Sequence, residues 1–78
     1  MAVDDHCLIL EGISKIVNKM PDAIVTNVAT SGRAALELIG RHNYDVCILD
    51  VSMPDMSGFD FITKIREKTE NARIIVYY

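Results

Sequence analysis

The chain has 78 residues, 50% of them apolar and 24% charged, and its net charge is −3. That is enough for one small domain and too apolar for a disordered chain. No apolar run approaches the roughly 18–20 residues that span a bilayer, no basic stretch leads into an apolar one as in a secretory leader, and no basic cluster offers a footprint for phosphates, which excludes an integral membrane protein and direct nucleic-acid contact by these residues, while Cys7 and Cys47, which form no disulfide framework, lead us to expect a reducing cytoplasm.

Met1-Ala2-Val3 is a short apolar start that ends at Asp4-Asp5. From His6 to Lys19 the apolar residues Ile9, Ile13, Ile16, Val17 and Met20 recur at helical spacing, which predicts one stripe of an amphipathic helix, stopped by Pro21-Asp22. Ala23 to Ala29 is β-branched and short and predicts a strand. Ser31 is placed to cap a second helix, with Ala35, Leu36 and Ile39 facing inward and Gly40 near its end. Tyr44 to Leu49 reads as a buried strand that ends on Asp50. The turn-rich stretch Met53 to Gly58 follows, and Ser57 offers a cap for a third helix with Phe59, Phe61, Ile62 and Ile65 as its apolar positions. Arg73 to Tyr78 is a fourth strand, with Tyr77 and Tyr78 expected to pack on a sheet face. The order β-α-β-α-β-α-β predicts right-handed crossovers and a flavodoxin-like α/β fold, a parallel sheet with helices on both faces.

The acids carry the chemical signal. Asp4 and Asp5 follow the first strand and Asp50 ends the third. In a parallel sheet all strand C-termini share one edge, where ligands bind at the point of strand-order reversal. If strands one and three are neighbours, three carboxylates converge, and their repulsion is relieved by a shared proton or by a cation. Carboxylates and carbonyls are the hard oxygen ligands that Mg²⁺ prefers, and an aspartate beside such a metal can attack a phosphoryl group to form an acyl phosphate. For any one of these residues the plainer reading is a helix cap or a turn. That reading explains less well an acidic pair after one strand combined with an acid closing an apolar one, because an uncompensated charge there costs free energy.

Other polar residues have simpler readings. His6 is expected as a partly exposed first-turn residue and His42 as a solvated one near a helix C-terminus. Met53 and Met56 are expected to pack. Cys7 and Cys47 lack metal-ligand spacing and are expected to be reduced, buried hydrophobes.

The stretches Val3-Asp4-Asp5-His6 and Cys47-Ile48-Leu49-Asp50-Val51-Ser52-Met53-Pro54-Asp55-Met56-Ser57-Gly58 together resemble the receiver domain of bacterial two-component response regulators, most closely the NarL/FixJ class. The resemblance covers essentially the whole chain. It implies a single receiver domain over residues 1–78, a phosphoprotein with no enzyme activity of its own. Asp50 would be the phosphoacceptor for a sensor histidine kinase. Mg²⁺ or Mn²⁺ would be held by Asp4, Asp5, Asp50 and the backbone carbonyl of Ser52, with Pro54 and Gly58 shaping the site floor. The output would be transcription regulation through a C-terminal helix-turn-helix effector domain outside these residues. The family's lysine at the end of the fifth strand has no counterpart here, and its switch Ser/Thr at the end of the fourth aligns with Tyr78 or, with a one-residue slip, with a position just beyond the end. On this reading the chain stops after the fourth strand and lacks the C-terminal part of the fold. The apolar strand Ile74 to Tyr78 would then be a bare edge, so a homodimer or swapped oligomer is expected.

Other functions fit less well. A haloacid-dehalogenase-type phosphohydrolase needs an acid two positions after its nucleophile, where this chain has Ser52. A flavodoxin-type cofactor binder wants neutral donors after the first strand, and Asp4-Asp5 repel a flavin phosphate. A pseudo-receiver or assembly module that is never phosphorylated stands second.

Overall fold

A computed structural model describes residues 1–77, which form β1 (Ala2–Val3), α1 (Cys7–Asn18), β2 (Val28–Ala29), α2 (Gly32–Arg41), β3 (Val46–Asp50), α3 (Gly58–Lys68) and β4 (Arg73–Tyr77). All pairings are parallel and the strand order is β2-β1-β3-β4. Order reverses at β1: the chain steps outward to β2, then crosses back over β1 to β3. With right-handed crossovers this places α1 on one face and α2 and α3 together on the other. The expected flavodoxin-like arrangement is therefore present, and β1 is the direct neighbour of β3.

Side-chain alternation along the strands divides the interior. Val3, Cys47 and Leu49 join Ala35, Ile39, Phe61 and Ile65 in the main core, with Met53 and Ala72 closing it. Phe61, Leu49, Ile65, Val3 and Cys47 are its largest fully buried members. Both serine caps form: Ser31 Oγ accepts the Ala34 N–H at 3.1 Å, and Ser57 Oγ accepts the Asp60 N–H at 3.2 Å. Each satisfies one amide that the helix itself leaves unpaired.

Four local expectations need correction. The expected strand over residues 23–29 is only Val28–Ala29. Its ladder partner β1 offers just Ala2 and Val3; before the strand, the Asn27 carbonyl accepts the Ala2 N–H at 3.2 Å, while the Val25 N–H turns to Asn18 Oδ1 at 2.8 Å instead of a ladder. In α1 the buried residue is Leu10, while Ile9 and Ile16 are exposed, as is Met20 just beyond the helix. The face turned to the sheet runs through Leu10 and the half-buried Ile13 and Val17, a shift of one position around the helix. Phe59 is 82% exposed. It lies in the first turn of α3, before the inward positions Phe61 and Ile65. Cys7 is exposed rather than buried, whereas Cys47 is buried as expected.

His42 is exposed at the α2 C-cap, where its ring meets Tyr44 edge-on at 6.2 Å. Met53 is buried and Met56 packs against the core. Tyr78 lies outside the described residues. At the N-terminal end of the strands, away from the acids, Met1, Val17, Met20, Ile24, Val46 and Ile75 line an apolar groove.

Candidate functional site

Three strand ends build the site. Parallel pairing sets Val3 beside Leu49 and Asp50 beside Tyr77, so the residues that follow β1 meet the last residues of β3 and β4 at one edge. Asp4, Asp5, His6 and Asp50 each offer a ligand atom there, all within 4.8 Å of one another. Asp4 and Asp50 are 2% and 4% exposed, whereas Asp5 faces solvent. Their convergence followed from the sequence only if β1 and β3 were neighbours, and they are.

Asp4 is the most heavily bonded of the acids. Its Oδ1 accepts the His6 N–H at 2.8 Å and lies 2.9 Å from His6 Nδ1, while its Oδ2 accepts the Tyr77 hydroxyl at 2.5 Å. Burial pushes the Asp4 carboxyl up. The Tyr77 hydroxyl, the His6 amide and the His6 ring outweigh that and hold it below the usual aspartate value. Tyr77 responds in the opposite direction: burial first, then its bond to Asp4, drives the phenol well above an ordinary tyrosine.

The Asp50 carboxylate is oriented from its own loop. Ser52 donates both its backbone N–H (2.9 Å) and its hydroxyl (2.7 Å) to Asp50 Oδ1. Among the described residues Oδ2 accepts no hydrogen bond, so one oxygen is held and the other is not. The loop beyond is held close. A Cβ on Gly58 would come within 2.7 Å of Val51 Cβ and 3.2 Å of the Val51 carbonyl, so only glycine lets α3 start this near the strand end. Asp55 reaches the other way, accepting the Gly32 and Arg33 amides at 3.2 and 3.3 Å and so tying this loop to the N-terminus of α2.

Two residues gained a role that the sequence reading did not assign. His6 belongs to the acid cluster: its Nδ1 is 2.9 Å from both Asp4 Oδ1 and Asp5 Oδ1, with the ring 68% exposed. The only hint was its place directly after the acidic pair. Tyr77 was expected to pack on a sheet face, and its hydroxyl instead enters the cluster. The resemblance assigns the family's switch position to Tyr78, which lies outside the described residues, and gives Tyr77 no role in the cluster.

The hydrogen bond to Asp4, and then the charge of Asp5, raise the His6 pKa. The protonated ring is therefore favoured in the folded protein. Its contribution to stability is complete below the ordinary histidine value and is lost as pH rises through the raised one. In the metal-free protein the His6 ring-proton NMR titration is expected to have its midpoint above that of a solvated histidine, and Asp5→Asn is expected to lower it. A midpoint unmoved in Asp5→Asn would remove Asp5 from the contact.

Residues 1–77 match the family described as response regulator receiver domain. The nitrate/nitrite response regulator NarL of Escherichia coli K12 is 32% identical over 77 residues, which is 99% of this chain and 36% of that protein. RcsB of Salmonella enterica, solved on the promoter rprA with the phosphomimetic BeF₃⁻, superposes with a TM-score of 0.87 at 27% identity, covering 96% of this chain and 39% of that one. The response regulator TrrA, solved in complex with the histidine kinase ThkA, gives a TM-score of 0.80 at 35% identity over 96% of this chain and 63% of that one. The chain thus spans little more than a third of the NarL and RcsB sequences it matches. The match over residues 1–77, together with the acids gathered at the ends of β1 and β3, places this chain in the response regulator receiver domain family.

Proposed function

We propose that this chain is the phosphoacceptor of a two-component system and takes a phosphoryl group from a sensor histidine kinase onto Asp50. The observation that carries the reading is the asymmetry of Asp50: a buried carboxylate at a strand end, with Oδ1 fixed by Ser52 and Oδ2 clear. In the transfer Oδ2 bonds to phosphorus as the bond from phosphorus to the donor's imidazole nitrogen breaks. The products are an acyl phosphate and the free imidazole, which regains its proton from solvent. Ser52 keeps the attacking carboxylate in one rotamer, and burial keeps water from competing.

The donor set suits Mg²⁺ or Mn²⁺. Three carboxylates within 4.8 Å of one another are hard oxygen ligands whose mutual repulsion a divalent cation offsets. Asp5 and Asp50 would hold it, with Asp4 and the Ser52 carbonyl completing the protein's share. When bound, the cation supplies charge neutralisation for the phosphoryl oxygens.

The RcsB complex with a promoter supports a DNA-binding output in a separate domain, and the ThkA complex supports a kinase partner. Among the described residues no helix is long and apolar enough to cross a membrane.

The test is incubation of the full-length protein carrying this chain with Mg²⁺ and a small acyl-phosphate donor. One phosphoryl group per chain is expected, mapping to Asp50 and labile to hydroxylamine. A stable label on a serine, or none under any donor, would instead favour the pseudo-receiver reading.

A further inference from the structure

Tyr77 stands out because it sits opposite Asp50 in the β3–β4 ladder yet sends its hydroxyl to Asp4. It is the one described residue from β4 in the acid cluster, and it is half-buried. The effect on Asp4 is specific. Oδ1 is engaged by His6 through the backbone amide and the ring, so Oδ2 is the oxygen Asp4 has left, and the phenol occupies it. A hydroxyl donating to a carboxylate makes a short, charge-assisted bond, stronger than a neutral one. It also withdraws charge from the oxygen that a cation, or a water on a cation, would use.

We propose that Tyr77 is a positioning residue that competes with a divalent cation for Asp4, so that loading of the acid cluster requires the phenol to release Asp4 Oδ2. The inference rests on reading the acid cluster as a cation site, as proposed above. It makes β4 a sensor of occupancy: the Tyr77 hydroxyl is on Asp4 when the cluster is empty of metal and off it when the cluster is filled. Because Tyr77 is paired with Asp50 through the backbone of β4, and its carbonyl accepts the Val51 amide at 3.1 Å, its release reaches the phosphoacceptor loop by a direct connection.

Mn²⁺ binding to the full-length protein, followed by loss of the free-ion electron paramagnetic resonance signal, tests this in the wild type and in Tyr77→Phe. The variant keeps the ring and removes only the donor. It is expected to bind Mn²⁺ roughly three- to tenfold more tightly, the range of one hydrogen bond lost as competitor. A merely structural role predicts the reverse, because a loosened site binds less well. As a measurement that needs no variant to fold, the Tyr77 ring signals in the wild-type NMR spectrum are expected to shift as diamagnetic Mg²⁺ is added. Equal or weaker Mn²⁺ binding by Tyr77→Phe, or ring signals that do not move while Mg²⁺ binds, would overturn the competition and leave the receiver reading standing. Binding by Tyr77→Phe alone would support it in its strongest form. No binding by either protein would overturn both.

Discussion

Asp50→Asn is expected to reduce phosphoryl acceptance to background while leaving the fold in place. The amide is nearly isosteric and retains an oxygen for the two Ser52 hydrogen bonds, so the loop after β3 keeps its geometry. What disappears is the anionic Oδ2, the oxygen of this buried carboxylate that accepts no hydrogen bond among the described residues. The same change removes a negative charge from a cluster of three carboxylates, so Mn²⁺ affinity is expected to fall by roughly tenfold or more. Mass spectrometry after donor treatment and a metal titration of the same sample check the two effects together. Phosphoryl incorporation retained in Asp50→Asn would move the nucleophile elsewhere. Lost incorporation with unchanged metal affinity would keep Asp50 as acceptor and take it out of the metal's coordination.

The second large effect separates two phenylalanines two positions apart. Phe61 is 1% exposed and central to the core between α3 and the sheet, whereas Phe59 is 82% exposed. Truncating a buried phenylalanine to alanine costs about 3–5 kcal/mol in lost transfer free energy and cavity formation. Domain stability is only roughly 0.05–0.15 kcal/mol per residue, so for a domain this small Phe61→Ala removes a large fraction of the total. Denaturant unfolding of the full-length protein is expected to show the receiver transition shifted strongly to lower concentration in Phe61→Ala. In Phe59→Ala it should move by no more than about 0.5 kcal/mol, as for an ordinary surface change. A large loss in Phe59→Ala would mean that its ring is covered by something beyond the described residues.

The edge strand bears on how the chain is handled. Among the described residues β4 closes one side of the sheet with Ile75 and Val76 exposed. Such an edge pairs readily with another strand.

What the sequence determined by itself was local. The serines at 31 and 57 cap their helices because a hydroxyl beside unpaired amides is a short-range interaction, readable from its neighbours. The apolar run ending on Asp50 was legible as a buried strand with an acid at its tip, and the turn formers after it announced a tight loop. The pair Asp4-Asp5 marked the end of the first strand for the same reason. Tertiary structure decided everything that depends on which strand lies beside which. Only the β1–β3 pairing turns two separated acid motifs into one site, and the ladder with β1 matches just Val28 and Ala29 to Ala2 and Val3. The face of α1 that meets the sheet was off by one position, because helical periodicity marks an apolar stripe without saying which part of it the sheet can cover. Tyr77 shows the limit most plainly. Its neighbour Tyr78 carries the same side chain, and strand register, a long-range property, selects the hydroxyl that bonds Asp4.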